Sequence, residues 1–213
     1  LVSSLLFLTT TTAPDAAYAV GLLTRCMAYP NKHLMLAAER VLIYLHKRRQ
    51  LCITYTRSPQ RNTFGGNWAP TSGPTTDGDS DASFDVHRST SGYNFILGNA
   101  AIAWGVKKQS SIALSTCEAE IMAGSLAACE AIYLRGLLAD IGYPQAAPTL
   151  IRMDNSAAID LSKDPVNHAK SKHILRRELH IRELVQDKVV SVKLVKSAES
   201  TADIFTKHLD KAT

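Results

Sequence analysis

One segment near the middle of the chain, STCEAEIMA at residues 115–123, places two glutamates in the first turns of a predicted helix. Ser115 and Glu118 stand at the S-x-x-E spacing of a capping box, in which each side chain satisfies a free backbone N–H group. Glu120 has no capping role and lies on another side of the helix. Because glutamates are common in first turns on electrostatic grounds alone, the segment indicates a metal ligand only if other carboxylates converge on Glu120.

The composition of the 213-residue chain is that of an ordinary globular protein, with 46% hydrophobic and 20% charged residues. Its length allows one large domain or two small ones. A net charge of +5 favours a polyanionic partner without requiring one. The four cysteines form no closely spaced metal or redox pair, which predicts free thiols in a reducing compartment. We expect no apolar run long enough to cross a membrane.

The first residues superficially resemble a signal peptide. However, the chain opens on Leu1 and lacks a basic region before the apolar residues. Pro14-Asp15 followed by alanines fits an internal helix start better. We therefore expect this sequence to be part of something longer, such as a polyprotein.

Three regions follow one another along the chain, with predicted bounds of 1–56, 57–76 and 77–213. The first is mainly helical, since an apolar stripe recurs at three- and four-residue steps, and it ends in a short predicted strand at 51–56. The second is rich in Ser, Pro, Gly, Thr and Asn and is predicted to be a linker. The third has mixed α/β patterns: strands at 93–97, 101–104, 150–153 and 189–195, and helices at 115–141, from 154 to near Pro165, at 171–186 and at 201–209.

Four acidic residues stand at the edges of regular elements in the third region: Asp81, Glu120, Asp154 and Asp203. From strand ends and helix starts a rigid scaffold can aim side chains into one cleft. Carboxylate clusters suit hard cations such as Mg²⁺ or Mn²⁺, and two such ions can activate a water in phosphoryl transfer. A single carboxylate at such a position is more often a helix cap or a surface charge. The prediction of a metal site therefore depends on the arrangement of all four.

Eight short motifs follow one another in the third region: SDA (80–82), RSTSGY (88–93), Trp104 with KKQ (107–109), LSTCEAE (114–120), DNSA (154–157), PVNH (165–168), SKHI (171–174) and ADIFTK (202–207). In this order they resemble the ribonuclease H domain of copia-type LTR retrotransposon polyproteins. Further motifs within residues 1–45 resemble the tail of the adjoining reverse transcriptase. No Tyr-x-Asp-Asp polymerase motif is present in the sequence.

The resemblance implies an α/β fold of ribonuclease H type: a mixed five-stranded sheet flanked by helices and preceded by a small, mainly helical segment. It implies two-metal hydrolysis, with Mg²⁺ or Mn²⁺, of the RNA strand of RNA–DNA hybrids during reverse transcription. The catalytic metal ligands would be Asp81 on the first strand, Glu120 on the first helix, Asp154 after the fourth strand and Asp203 on the last helix. Asp81 would bridge both ions, Glu120 and Asp154 would complete one site, and Asp203 would help to hold the other.

The implied partners are the hybrid and the remainder of the reverse transcriptase polyprotein, with no membrane, in a cytoplasmic virus-like particle or the nucleus. Eight residues are predicted to contact nucleic acid: Lys107, Lys108, Ser115, Asn155, Lys170, Lys172, His173 and Arg176. Phosphate contacts from the basic ones would give salt-dependent affinity without sequence readout. A solvated helix face explains residues 168–177 equally well.

The loop after Asp81 departs from the resembled family, which usually has Asp-Ala-Asp-Trp and a longer acidic loop. Here residues 81–88 are DASFDVHR, with Ser83 in place of the second aspartate. Leu175 replaces a usual acidic residue, and residues 195–199 offer no histidine. Misplacing Asp81 by about 1 Å would cost on the order of 100-fold in rate. A catalytically silent nucleic-acid-binding module therefore stays open as the alternative. A transposase-like enzyme is disfavoured by the order of the carboxylates.

Overall fold

A computed structural model describes residues 1–55, 76–85, 88–163 and 172–208. Five strands form one sheet in the order β3-β2-β1-β4-β5. The neighbours β3, β2 and β1 run antiparallel, whereas β1, β4 and β5 run parallel. The strands are β1 (Asp77–Ser83), β2 (Thr90–Leu97), β3 (Ala100–Lys108), β4 (Thr149–Met153) and β5 (Val190–Leu194). The predicted mixed five-stranded sheet flanked by helices is confirmed.

Six α-helices lie in the described residues: α1 (Val2–Thr11), α2 (Ala17–Thr24), α3 (Lys32–Lys47), α4 (Thr116–Asp140), α5 (Ser156–Lys163) and α6 (Lys172–Gln186). Helices α4, α5 and α6 pack on one face of the sheet, where Phe95 and Ile151 are fully buried among them. Asn94, beside Phe95, instead bonds to Thr201. Because alternate residues of a strand point to opposite faces, the 3-10 helix Thr201–Phe205 lies on the other face.

The predicted N-terminal helical segment is present and packs against the sheet. Helices α1, α2 and α3 share a small core that includes Leu5 and Val20. The indole Nε1 of Trp104 in β3 donates a hydrogen bond of 2.6 Å to the carbonyl of Thr9 in α1. Arg25 after α2 donates one of 3.0 Å to the hydroxyl of Thr90 in β2. These helices therefore cover part of the face that also carries the 3-10 helix.

Two predicted elements differ from the structure. Residues 51–55 form no strand, although their composition favours one, because none of the described strands pairs with them. Instead, the hydroxyl of Tyr55 donates to the carbonyl of Ala101 at 2.9 Å. The predicted last helix, 201–209, is a 3-10 helix over Thr201–Phe205. The predicted linker at 57–76 lies outside the described residues, apart from Thr76, so that boundary stays a prediction.

Helix α4 is long and apolar enough to cross a membrane by length and composition, so the expectation that no such run exists is wrong. Its hydrophobicity has another cause. More than half of its most apolar window is buried inside the protein, and Ile121, Ala127 and Ala131 contribute to the core under the sheet. The apolar character of α4 is that of a core helix.

Candidate metal centre

Three of the predicted carboxylates, Asp81, Glu120 and Asp154, converge at one edge of the sheet. In the parallel pair β1 and β4, Asp79 is in register with Arg152, so the positions two residues further on bring Asp81 beside Asp154. One carboxylate oxygen from each of the three residues lies within 4.8 Å of the other two. Asp81 and Glu120 are buried and Asp154 is half-buried. Three oxygens this close can bind one hard divalent cation.

The two glutamates of α4 contact different parts of the protein. The Ser115 hydroxyl accepts a hydrogen bond of 3.2 Å from the backbone N–H of Glu118, which caps the helix. The Glu118 carboxylate accepts from the N–H of Leu114 at 2.7 Å, one residue before the N–H that a standard capping box would use. Glu120 instead points to β1, where its Oε1 accepts from the N–H of Ala82 at 3.2 Å.

The second oxygen of Glu120 makes the site fit a cation. Among the described residues, Oε2 of Glu120 is buried and has no hydrogen-bond partner. A buried charged oxygen without a partner is costly, and either a proton or a metal ion would relieve that cost. Burial, followed by the charges of Asp81 and Asp154, raises the pKa of Glu120 to about 9. Without a cation, Glu120 therefore holds a proton at neutral pH.

Asp203, the fourth predicted ligand, lies next to this cluster and is joined to it by an ion pair. The ammonium of Lys207 lies 3.2 Å from Oδ1 of Asp203 and 3.3 Å from Oδ2 of Asp81. Burial alone would lower the pKa of Lys207, but the two carboxylates raise it overall. The pKa of Asp81 is raised by burial, although the Thr206 hydroxyl and Lys207 oppose that shift.

Comparison with known proteins places the chain in a family. It is 35% identical over 97% of its length to the Pol polyprotein of transposon TNT 1-94 from Nicotiana tabacum. It is 32% identical over 94% of its length to that of transposon RE2 from Arabidopsis thaliana. The chain belongs to the Pol polyproteins of copia-type retrotransposons. It spans 15% and 13% of the length of these two relatives. No family model matches.

Two further likenesses accompany the Pol relatives. A secreted RxLR effector protein of Plasmopara viticola is 35% identical over 62% of this Pol chain and 87% of its own length. Among solved structures, the N-terminal RNase H domain of a Mycobacterium tuberculosis protein is 14% identical, with a TM-score of 0.49. That likeness covers 63% of this chain and 91% of the other. Because the TM-score is below 0.5, the description of the fold above does not depend on this likeness.

Three residues that contact the carboxylates were not predicted from the sequence. Lys207 stands four residues after Asp203, a spacing that brings side chains together on a helical turn and was the available signal. The hydroxyl of Thr206 donates to Asp81. The hydroxyl of Ser197 donates to Oδ2 of Asp154 at 2.7 Å. No local pattern reveals the last two contacts, because each joins segments distant in the sequence.

The residues predicted to contact nucleic acid differ in their surroundings: some are exposed, and others cap helices. Their contacts with nucleic acid stay predictions. Lys107 and Lys108 are exposed at the end of β3, beside a groove of about 200 Å³ that Arg177 also lines. Arg176 is exposed on α6. Asn155 caps α5, since its Oδ1 accepts from the N–H of Ala158 at 3.1 Å. Ser115 caps α4, Lys172 and His173 fall in the first turn of α6, and Lys170 lies outside the described residues.

The contact between β2 and the segment that carries Asp203 can be tested at Gly92. A Cβ atom at this residue would lie 2.6 Å from Cβ of Phe205 and 2.7 Å from Cγ2 of Thr206. We expect Gly92→Ala to lower the free energy of unfolding by about 1–3 kcal/mol, as overpacking does elsewhere. Thermal unfolding measures the change.

A matched control for this substitution is Gly136→Ala in α4. A Cβ atom there meets nothing within 4 Å, so this variant should gain up to about 1 kcal/mol of helix propensity. Equal unfolding temperatures for the two variants would contradict the described packing of the 3-10 helix on β2.

Proposed function

We propose that this chain is a ribonuclease H module that hydrolyses the RNA strand of RNA–DNA hybrids during retrotransposon reverse transcription, with divalent metal ions. The observation that carries the proposal is the convergence of Asp81, Glu120 and Asp154 on a sheet of ribonuclease H type. Membership of the Pol family supports a partnership with the remainder of the reverse transcriptase polyprotein. The place of action would be a cytoplasmic virus-like particle or the nucleus.

Three carboxylates lie close enough to hold one Mg²⁺ or Mn²⁺ ion, and a second ion beside them is part of the proposal. Asp81, Glu120 and Asp154 would hold one, and Asp203 together with Asp81 would help to hold the other. When bound, such ions supply an activated water and neutralise negative charge at the phosphate. Glu120 would release its proton to the solvent on binding a cation, because the proton and the cation would compete for the same carboxylate. Ser197 would keep Asp154 oriented, because its hydroxyl donates to Oδ2 of that carboxylate.

Hybrid binding would use the basic side chains around the site. Lys107, Lys108 and Arg177 border one groove, and Arg176 is exposed on the same helix as Arg177. Phosphate contacts of this kind give affinity that falls with salt. An RNA–DNA hybrid is distinguished from duplex DNA by its shape and its 2′-hydroxyl groups. Ser115, Asn155, Lys170, Lys172 and His173 remain proposed contacts.

A panel of labelled substrates tests this function. With Mg²⁺ or Mn²⁺ we expect cleavage of the RNA strand in an RNA–DNA hybrid, and none of duplex DNA or single-stranded RNA. A chelator should abolish the cleavage. Cleavage that persists in the chelator, or that is equal for RNA with and without a DNA partner, would overturn the proposal.

A silent nucleic-acid-binding module is the second candidate. It is favoured by the ammonium of Lys207, which forms an ion pair with both Asp81 and Asp203 without a metal, and by the altered loop after Asp81. This module would bind the hybrid with an affinity that falls as the salt concentration rises. It would cleave no substrate with either Mg²⁺ or Mn²⁺. The same substrate panel, with a binding measurement added, separates the two candidates.

A further inference from the structure

A buried polar network lies beside the proposed metal ligands without including them. At its centre is Asp79 in β1, which is only 1% exposed. One of its oxygens accepts from Nε of Arg152 in β4, and the other accepts from the hydroxyl of Thr201. The guanidinium of Arg152 therefore compensates the charge of the buried carboxylate, which would be costly alone. Asp79 and Asp81 point to the same face, because they are two residues apart in one strand.

Thr201 joins this network to the 3-10 helix Thr201–Phe205, of which it is the first residue. Its hydroxyl donates to Asp79 and accepts from Nδ2 of Asn94 in β2 at 2.9 Å. Asn94 is itself 5% exposed. The start of the 3-10 helix is therefore fixed to two neighbouring strands through one hydroxyl group.

The other end of this segment is fixed to the same strand. The hydroxyl of Thr206 donates to Asp81, five residues after Thr201 contacts Asp79. Asp203 lies between the two attachment points. A short 3-10 helix has poor hydrogen-bond geometry of its own, so outside contacts decide where it lies. The two attachment points on Asp79 and Asp81 thus determine where Asp203 lies beside the three converging carboxylates.

We propose that Asp79, acting through Thr201, is a positioning residue that holds Asp203 against Asp81. This inference rests on the proposed metal centre, and Asp79 itself contacts none of the reacting atoms. Removing the Thr201 hydroxyl would leave one oxygen of Asp79 without its donor and would free the start of the segment. Partners behind a metal ligand typically change metal affinity by about 10- to 100-fold when they are lost.

Thr201→Val and Thr201→Ser test the proposal, since valine keeps the shape without the hydroxyl and serine restores it. Thr149→Val is the control, because it removes a threonine hydroxyl away from the site, at the start of β4, that accepts from Nη1 of Arg135. The first measurement is amide hydrogen exchange of residues 201–207 in the metal-free protein. The second is Mn²⁺ binding by calorimetry without nucleic acid. Hybrid cleavage gives kcat and KM as the third.

We expect Thr201→Val to accelerate exchange in residues 201–207 and to weaken Mn²⁺ binding by about tenfold or more. The value of kcat should fall with KM for the hybrid unchanged, and Thr201→Ser should restore all three measurements. Wild-type behaviour of Thr201→Val, or an equal loss in Thr149→Val, would overturn the proposal. So would a wild type that binds no Mn²⁺. Mn²⁺ binding without hybrid cleavage would instead remove the proposed function and leave the positioning role in place.

Discussion

Asp154→Asn should lower the rate of hybrid cleavage by about 10³-fold or more while leaving the protein folded. The substitution removes one negative charge from a cluster in which three oxygens lie within 4.8 Å of one another. An amide oxygen is a weaker ligand than a carboxylate for a hard cation. Asparagine keeps the volume of Asp154 and can still accept the hydrogen bond from Ser197, so the fold should not change. Initial rates on a labelled hybrid measure the effect.

Asp160→Asn is the matched control. Asp160 is an exposed residue of α5, six positions after Asp154, so its variant loses the same charge outside the site. We expect it to cleave the hybrid like the wild type. Equal rates for Asp154→Asn and the wild type would remove Asp154 from the proposed site. An equal loss of cleavage rate in both variants would show that the effect comes from the change in net charge and not from the site.

Glu120→Gln should stabilise the metal-free protein at alkaline pH and change little in acid. The pKa of Glu120 is raised from 4.5 to about 9, so the folded protein keeps a proton that the unfolded chain releases within that range. The contribution of Glu120 to the stability of the wild type therefore falls as pH rises from about 4.5 to about 9. Glutamine carries no charge at either end of the range. The advantage of the variant should grow to the order of a few kcal/mol near the upper end.

Denaturant unfolding in a chelator across this pH range measures the effect, with Glu183→Gln, an exposed glutamate of α6, as the control. Adding Mn²⁺ to the wild type should reverse the trend, because the cation competes with the proton. Its apparent affinity should rise by up to about tenfold for each unit of pH below the pKa of Glu120. A parallel pH dependence of stability in Glu120→Gln and the wild type would show that Glu120 is not the group that titrates.

Local patterns were sufficient where a side chain acts within its own element. The S-x-x-E spacing predicted that Ser115 and Glu118 cap the helix and that Glu120 does not. Ser115 caps as predicted, and Glu118 accepts from the N–H of Leu114 beside the predicted one, whereas Glu120 contacts β1. The strand before Asp154 and the helix after it are likewise as predicted, because Asn155 caps α5 through its own local hydrogen bond. In each case the residues that determine the structure are neighbours in the sequence.

The strand β1 shows where local patterns fail. Its sequence, DGDSDAS, has small and acidic residues that seldom form strands, and only the family resemblance indicated a strand around Asp81. Its stability comes from distant partners: β2 and β4 on its two sides, and Arg152 and Thr201 for Asp79. The same long-range contacts explain why the last predicted helix is a 3-10 helix tied to the sheet at both ends. A window of neighbouring residues contains neither set of partners.

Helices α1 and α2 contact the sheet, so two regions that differ in composition are packed together. Composition separates residues 1–56 from 77–213, yet Trp104 of the second part donates to Thr9 of the first, and Arg25 donates to Thr90. A proteolytic cut between residues 57 and 76 would break the chain without removing these contacts. We therefore expect the two pieces of a chain cut there to stay together through non-covalent contacts.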